Sequence, residues 1–409
     1  MKRIGLFGWI LIGFAVGIIV GLIVGEPMAA VKPFGTLFVR LLKMLIVPLI
    51  FATLVVGVAS ISPAKFGKMF GKTVFLYYVT AAIAVCIGLA LANAIPANIF
   101  GAGFPVGELA AVEPKAPPPM SEVLLGIVPT NPIGAMAQGQ ILPIVFFAVL
   151  FGIAINMAGK VCEPLFNIID GIANAMFKVV RIVLFYAPIG VFALIGWTVG
   201  THGAGILAPF AVLITVCYVG YILHVGVVYT LFVRYLGKIN PWTWLVKVRE
   251  APLFAFATCS SSATLPVNLR VVQENTGVSK EVAGFVLPVG ANVNMDGTAL
   301  YQGVTAIFLA NAFGVQLGFG GNMIILVTAI LASIGTAGVP GAGLIMLMVV
   351  LGAVGIPLEG IALIAGIDRI LDMGRTAVNI TGDGIVAGII AHWEGEKLLP
   401  GIKVGTAAA

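Results

Sequence analysis

Long runs of apolar residues follow one another along nearly the whole chain, separated by short polar segments. The runs continue without period-two alternation, which argues against a transmembrane barrel and for membrane-spanning helices. We therefore expect an all-α polytopic membrane protein. In the first part of the chain the predicted spans lie near residues 4–25, 37–61, 73–100, 122–158 (broken at Asn131 and Pro132), 163–197 and 203–236.

The pattern changes in the second part of the chain. Residues 241–272 are interrupted by TCSSSATLP, and residues 322–356 carry SIGTAGVPGAG between two apolar arms. Each segment predicts a helical hairpin that enters the membrane and returns, and each is followed by a span, near 281–309 and 359–391. Two hairpin–span units with opposite entry sides form an inverted repeat, a plan typical of secondary transporters. The prediction is eight transmembrane helices plus two re-entrant helical hairpins.

Composition supports the membrane class and fixes an orientation. Hydrophobic residues make up 60% of the chain, charged residues 9%, and the mean hydropathy is +1.13. The net charge of +6 comes from Lys and Arg in short loops, such as 65–72 and 234–249, so it indicates cytoplasmic loops and not nucleic-acid binding. We expect a multi-pass protein of a prokaryotic inner cell membrane with both termini cytoplasmic. The first run reads as a retained span, and four widely separated cysteines indicate neither disulfide nor metal chemistry.

The segment DRILDMGRTAVNITGD at 368–383 places five charged residues inside the last predicted span. Successive residues of an α-helix are rotated by about 100° around its axis, and on this basis five polar residues of the segment fall within an arc of about 80° and form a polar stripe on one face. The stripe consists of Asp368, Asp372, Arg375, Asn379 and Asp383. Each lipid-exposed charge would cost about 2.5–3.5 kcal/mol, so the stripe must face protein, ions or substrate. The alternative is a self-neutralising stripe that only fixes helix packing, with Asp372 and Arg375 paired at i,i+3.

The residue types in this stripe fit an acidic amino acid. The guanidinium of Arg375 matches a carboxylate, and the neighbouring carboxylate of Asp372 suits an ammonium group. Backbone N–H groups of the serine-rich and glycine-rich tips can receive a second carboxylate. Thr376 and Asn379 add hydrogen bonds.

Oxygen-bearing side chains nearby indicate a cation site. Asp383 and Asp296 lack a neighbouring cationic partner in the sequence, and a hard cation such as Na+ prefers oxygen ligands of the kind that Asn294 and Asn379 also carry. For Asp296 the alternative is a buried carboxylate that caps the interrupted helix.

These motifs together resemble the dicarboxylate/amino acid:cation symporter family, the glutamate transporter family with its prokaryotic aspartate and glutamate transporters. FVRLLKMLIVPLIFATLVVGVASISPAKFG (38–67) and YAPIGVFALIG (186–196) are similar to the family's second and fifth spans. Four further segments resemble the family's hairpin and core motifs and follow in the family's order. They are SSSATLP (260–266), NMDGTALYQG (294–303), GTAGVPGAG (335–343) and DMGRTAVNITGD (372–383).

The resemblance implies an elevator-type homotrimer built from two domains. A scaffold and trimerisation domain would comprise residues 1–66 (spans 1 and 2) and 106–200 (spans 4 and 5). A transport domain would comprise residues 67–105 (span 3) and 201–409 (span 6, hairpin 1, span 7, hairpin 2 and span 8).

The resemblance also implies the site residues. The substrate would meet Ser261, Thr298, Val339, Gly343, Asp372, Arg375, Thr376 and Asn379, with its amine on Asp372 and its side-chain carboxylate on Arg375. One cation site would use Gly290, Asn294, Asn379 and Asp383. A second would use Ser333, Ile334 and Thr336, and a third Tyr77, Thr80, Asn294 and Asp296.

The chain departs from the family pattern in two places. Archaeal members carry an arginine just before the hairpin serines, where this chain has Cys259, and animal members carry one just after the substrate-binding aspartate, where this chain has Met373. We hypothesise that Arg369 supplies the missing charge. At the third cation site a threonine–serine pair is replaced by Thr80 and Ala81, which removes a hydroxyl.

The predicted function is a secondary-active symporter, not an enzyme, that couples uptake of L-aspartate or L-glutamate to inward movement of Na+ or H+. Its partners would be the acidic amino acid, the lipid bilayer and two further copies of the chain. The nearest alternative is a C4-dicarboxylate symporter of the same family, whose substrate would not need Asp372. Arg375 disfavours a neutral amino acid carrier, the lack of a repeated filter disfavours an ion channel, and the lack of a base beside the serines disfavours an enzyme.

Overall fold

The computed structural model describes residues 6–59, 63–102, 125, 128–334, 336, 338 and 340–398, and this part of the chain contains no strand. The prediction of an all-α protein is confirmed. The first part folds into α1 (Leu6–Val24), α2 (Lys32–Ala59), α3 (Pro63–Ala94), α4 (Pro132–Gln138), α5 (Ile141–Ala158), α6 (Glu163–His202), α7 (Leu207–Leu223) and α8 (Thr230–Tyr235).

The second part consists of shorter helices. They are α9 (Pro241–Val248), α10 (Glu250–Thr258), α11 (Ser261–Thr276), α12 (Lys280–Val293), α13 (Asp296–Ala312), α14 (Gly318–Ile334), α15 (Ala342–Ala353), α16 (Ile361–Ala365) and α17 (Asp368–Trp393). A π-helix, His224–Tyr229, joins α7 to α8.

Capping residues explain several of the breaks between helices. The side chain of Asn131 accepts the Gly134 N–H at 3.0 Å and Pro132 follows at the first helical position, so α4 begins where the sequence predicts a break. Ser260 caps α11 in the same way, accepting the Ala263 N–H at 3.1 Å. These local signals set the polar turns that later form the site.

Both ends of α3 differ from the prediction. Residues 65–72, predicted as a basic loop, lie in the first turns of α3, because lysine is a good helix former outside the apolar segment. The same helix ends at Ala94, short of residue 100, because the next residue, Ile95, precedes Pro96 and a residue before a proline avoids the helical region.

Helices α1 and α2 pack along the long helix α6. On α1, Gly13, Gly17 and Gly21 recur every fourth residue and face α6, where the backbone of α6 leaves no room for a side chain: a Cβ on Gly21 would lie 2.7 Å from the Gly196 carbonyl oxygen. Such stripes of small residues let membrane helices approach closely. The contact therefore depends on the absence of side chains along this face.

Helix α17 lies at the centre of the second part of the chain. Helices α10, α11, α12 and α13 all pack against it, and α3 and α7 pack against α13. Most of α17 is buried, including its ionisable residues Asp368, Asp372, Arg375 and Asp383. The polar stripe predicted from the sequence thus faces protein.

Two helix pairs bring their connecting turns together beside α17. The α10–α11 pair turns at Cys259, whose φ of 54° is left-handed, and the α14–α15 pair turns just before Ala342. The Ser260 hydroxyl and the Ser262 N–H both donate to the Gly338 carbonyl, at 2.8 and 3.0 Å. These pairs coincide with the predicted hairpins, while their re-entry from opposite membrane faces stays a prediction.

Among the described residues, three helical stretches are both long and apolar enough to cross a membrane: Lys68–Ala94, Phe146–Met176 and Leu207–Tyr235. Helix α17 is also long, but charged residues such as Arg375 and Asp383 interrupt its apolar character. Eight membrane crossings and the division into two domains stay predictions.

A matched pair of glycine substitutions tests the packing of α1 on α6. Gly21→Ala places a methyl group against the backbone of α6, whereas a Cβ on Gly71 of α3 meets nothing within 4 Å. We expect Gly21→Ala to lower the unfolding temperature by several degrees, and Gly71→Ala to leave it unchanged or raise it through better helix propensity. Thermal unfolding of both variants in detergent makes the comparison. Equal unfolding temperatures for the two variants would contradict the close approach.

Candidate functional site

A small cavity of about 10 Å³, nearly filled by the surrounding side chains, lies where the two helix-pair turns meet α13 and α17. Its lining residues are Cys259, Ser261, Met295, Thr298, Thr336, Gly338, Gly343, Asp372, Arg375, Thr376 and Asn379. The structure thus brings together the residues predicted to contact substrate, apart from Val339, which lies outside the described residues. Their roles in binding stay predictions.

Buried carboxylates surround Arg375, which is 1% exposed. Its Nη1 and Nη2 donate to the two oxygens of Asp368, at 2.7 and 3.2 Å, and its Nε donates to Asp372 Oδ1 at 2.9 Å. The i,i+3 pair between Asp372 and Arg375 therefore forms, as in the packing alternative. Asp368 adds a two-pronged pair one helical turn further away, an interaction that the spacing of the stripe allows but that we did not predict.

Asp372 also joins α17 to the turn of the α14–α15 pair. Its Oδ2 accepts the Gly341 N–H at 3.0 Å, and its Oδ1 accepts the Thr376 hydroxyl at 3.0 Å. Backbone N–H groups of this glycine-rich turn thus bind a carboxylate, which is the chemistry predicted for the turns. The carboxylate that they bind here belongs to the protein.

The guanidinium of Arg375 is confined from two further sides. It lies over the ring of Tyr301, with Cζ 4.6 Å from the ring centroid, an arrangement that favours a cation. A Cβ on Gly343 would lie 2.9 Å from Arg375 Cζ and 3.1 Å from Thr298 Cγ2. A glycine at 343 is needed for the turn to approach the guanidinium this closely.

Asn379 organises the other end of the cavity. Its Oδ1 accepts the Gly297 N–H at 2.8 Å at the start of α13, and its Nδ2 donates to Met295 Sδ and Thr298 Oγ1, at 3.1 and 3.3 Å. The side chain therefore joins α17 to the break between α12 and α13.

The residues of the first predicted cation site lie next to one another. Asn294 Nδ2 donates to Asp383 Oδ1 at 2.9 Å and to the Asn379 carbonyl at 3.0 Å. The other oxygens, Asn294 Oδ1 and Asp383 Oδ2, are buried and accept no hydrogen bond from the described residues. A Cβ on Gly290 would meet Tyr77 Oη at 2.6 Å, so the backbone of α12 closes the group. Buried oxygens without donors fit a cation ligand set.

The second predicted cation site lies at the end of α14. Ser333 and Thr336 are buried and their hydroxyls donate back to the Ile330 and Ala332 carbonyls, at 2.7 and 2.8 Å. Ile334 is the last residue of the helix, where carbonyls lack partners within the helix. The arrangement offers backbone oxygens to a cation.

The third predicted site differs most from a simple oxygen cage. Asp296 Oδ2 accepts the Tyr229 hydroxyl at 2.8 Å and lies 3.1 Å from His224 Nε2, while its buried Oδ1 has no partner among the described residues. The Thr80 hydroxyl donates to the Tyr77 carbonyl at 3.1 Å. Asp296 is the first residue of α13 and its carboxylate accepts no backbone N–H from the described residues, so the capping alternative is wrong.

The sequence did not reveal the roles of His224 and Tyr229. Five residues apart, they point in different directions on an α-helix, but the segment His224–Tyr229 forms a π-helix, in which residues i and i+5 are hydrogen-bonded neighbours. Both side chains therefore reach the same carboxylate. A π-helix leaves little mark on hydrophobic periodicity, whereas the i,i+7 spacing of Asp368 and Arg375 was visible in the sequence.

Comparison with known proteins finds relatives along nearly the whole chain. Residues 6–393 match the model of the sodium:dicarboxylate symporter family. The proton/sodium-glutamate symport protein of Geobacillus stearothermophilus is 38% identical over 97% of this chain and 96% of its own length. The proton/glutamate-aspartate symporter of Escherichia coli K12 is 38% identical over 89% and 85%. The C4-dicarboxylate transport protein of Azorhizobium caulinodans is 37% identical over 96% and 89%.

The family model thus covers all but the ends of the chain, and the relatives align along most of their own lengths. Family and relatives are membrane transporters, so the chain is a transporter and not an enzyme. On this match, the chain belongs to the sodium:dicarboxylate symporter family.

Proposed function

We propose that the chain is a secondary-active symporter that couples uptake of an acidic amino acid, L-aspartate or L-glutamate, to inward movement of Na+ or H+. The observation that carries the proposal is the buried juxtaposition of Asp372 and Arg375 in a cavity enclosed by two helix turns. One group suits an ammonium and the other a carboxylate. The printed names of the glutamate and glutamate-aspartate relatives support the same substrate class.

Substrate binding at Arg375 requires an exchange of carboxylates. A guanidinium has five N–H groups, and the hydrogen bonds to Asp368 and Asp372 use its Nε and both Nη atoms. The side-chain carboxylate of the incoming substrate binds the edge of the Arg375 guanidinium that Asp372 occupies. Asp372 is then released to bind the substrate ammonium, while Asp368 keeps the guanidinium in place.

The same exchange links binding to the α14–α15 turn. In the structure Gly341 N–H donates to Asp372. When Asp372 turns to the ammonium, this N–H becomes available to a substrate carboxylate. The turn can therefore close over the substrate as it closes over Asp372, which keeps water out of the occupied cavity.

Cation coupling follows from the neighbouring oxygens. Asn379 lines the cavity with its side chain, and its backbone carbonyl belongs to the group around Asn294 and Asp383. A cation at the unpartnered oxygens of that group and a substrate at Asn379 stabilise the same arrangement of α17. Each therefore raises the affinity for the other, as thermodynamic linkage requires.

The packing supports the proposed elevator with two domains. Helices α1, α2 and α5 join α6 in one group, consistent with a scaffold that forms the homotrimer, while α3, α7 and the helices from α10 to α15 surround α13 and α17. We propose that the second group moves across the membrane of a prokaryotic cell, with both termini of the chain cytoplasmic.

Uptake by purified protein in proteoliposomes tests the function. We expect concentrative L-[¹⁴C]aspartate uptake with an inward Na+ or H+ gradient, and none without either gradient. Arg375→Ala should abolish aspartate uptake, because the substrate side-chain carboxylate loses its partner, and should admit neutral amino acids. Aspartate uptake by Arg375→Ala at the wild-type rate would refute the role of this residue.

A C4-dicarboxylate symporter is the second candidate, supported by the name of the Azorhizobium caulinodans relative. Such a substrate has no ammonium for Asp372, so we favour the amino acid. A 100-fold excess of succinate should leave L-aspartate uptake nearly unchanged. Strong inhibition by succinate together with inward transport of labelled succinate would favour the dicarboxylate.

The first cation site is tested by Asp383→Asn. The substitution removes a charge but keeps an oxygen, so the cation should lose most of its attraction. We expect the rise in L-aspartate affinity on replacing choline with Na+, or on lowering the pH, to shrink at least tenfold. Asp170→Asn on α6, where the carboxylate contacts Asn174, is the control. An unchanged ion dependence in Asp383→Asn would exclude this carboxylate from coupling.

The carboxylate exchange is tested by Asp368→Asn, measured as thermal stability with and without L-aspartate. Breaking a buried ion pair costs about 3–5 kcal/mol, so the substrate-free protein should unfold at a lower temperature than the wild type. The substrate carboxylate then supplies the missing counter-charge, so L-aspartate should raise the unfolding temperature more than in the wild type. A smaller shift would show that Asp368 and substrate do not share Arg375.

A further inference from the structure

The buried charges at the cavity do not sum to zero. Asp368 and Asp372 carry two negative charges and Arg375 one positive charge, and all are at most 6% exposed. An excess negative charge in a protein interior within a membrane is unfavourable without compensation. It would also repel an anionic substrate entering the same cavity.

Arg369 is placed to supply the compensation. It follows Asp368 on α17, and its Nη2 donates to the Thr258 carbonyl at 3.3 Å. Thr258 is the last residue of α10, so the guanidinium lies at the negative end of that helix, where cations are favourable. The arginine reaches the turn of the α10–α11 pair from outside the cavity lining.

Cys259 connects the Arg369 contact at Thr258 with the cavity. Cys259 follows Thr258, is 1% exposed and lines the cavity together with Asp372 and Arg375. The Arg369 guanidinium thus contacts the residue next to one that shares the cavity with Asp372 and Arg375. The field of Arg369 therefore extends into the space that the substrate would occupy.

We propose that Arg369 is a specificity-determining residue that acts through its charge, making the site neutral before an anionic amino acid enters. The inference rests on the proposed function and deepens it. Arg369 does not touch the substrate. It offsets the second carboxylate, so that Arg375 can exchange Asp372 for a substrate carboxylate without leaving two uncompensated negative groups beside it.

The size of the effect follows from Coulomb's law. A unit charge acting over about 10 Å at an effective dielectric constant of about 20 changes a binding constant by about tenfold. Removing the charge of Arg369 should therefore weaken binding of an anionic substrate by about tenfold. It should not weaken binding of the coupling cation, which a more negative site attracts.

Calorimetry of L-aspartate binding to the full-length protein tests the proposal with four variants. Arg369→Lys keeps the charge, and Arg369→Gln keeps a hydrogen-bond donor without the charge. Arg369→Met keeps only an apolar side chain of similar length, and it replaces Arg369→Gln if that variant does not fold. The matched control is Arg270→Gln, because Arg270 pairs with Glu250 on the same helix pair and is 48% exposed. We expect dissociation constants within threefold of wild type for Arg369→Lys and Arg270→Gln, and about tenfold higher for Arg369→Gln and Arg369→Met.

A second measurement separates charge from structural damage. The quantity measured is the Na+ concentration that gives half of the full stabilisation of the protein, without substrate and against a choline background. In Arg369→Gln this concentration should stay unchanged or fall. A damaged fold would instead weaken the binding of both the ions and the substrate. Wild-type affinity for L-aspartate in Arg369→Gln, or a tenfold loss in Arg369→Lys, would overturn the proposal. If the wild type does not bind L-aspartate or L-glutamate, the proposed function fails and this inference fails with it.

Discussion

Ionised side chains on one face of α17 constrain the rest of this structure. A helix with Asp368, Asp372, Arg375 and Asp383 on one side cannot face lipid, because each exposed charge would cost several kcal/mol. It must be surrounded by other helices, and the structure places α10, α11, α12 and α13 around it. The packing of the second part of the chain is a consequence of enclosing these charges.

Enclosure alone would give an inert network, and the proposed binding site depends on the two turns. Each helix-pair turn presents a backbone group to α17: Gly341 N–H donates to Asp372, and the Thr258 carbonyl accepts from Arg369. The protein thus satisfies its own charged groups with bonds that a zwitterion can replace one for one. Such replaceable bonds allow a polar solute to enter a buried site without leaving unpaired groups.

Much of the fold and the site could be predicted from the sequence. Continuous apolar runs gave the helical class, and the spacing of Asp372, Arg375 and Asn379 at 3 and 4 residues gave the inward stripe. Ser261, Thr298 and Gly343 were expected beside that stripe from the resemblance of their motifs, and the structure places them there. These features depend on local periodicity or on short contiguous motifs, which a single sequence displays.

The rest depended on tertiary geometry. The π-helix that turns His224 and Tyr229 onto Asp296 changes the periodicity over a single turn. The spacing places Asp368 and Asp372 on the same face as Arg375, but only the side-chain geometry shows that the guanidinium bonds both carboxylates at once. The contact of Arg369 with Thr258 joins residues 111 positions apart, which no local pattern reports.

The most direct test of the central claim is a cryo-EM map of the protein in lipid nanodiscs with L-aspartate and NaCl. The account predicts ligand density between the two turns, with a carboxylate within hydrogen-bonding distance of Arg375 and the ammonium beside Asp372. It further predicts that the Asp372–Arg375 bond is broken and the Asp368–Arg375 pair retained. Density that placed the charged face of α17 against acyl chains, or the ligand away from both turns, would contradict it.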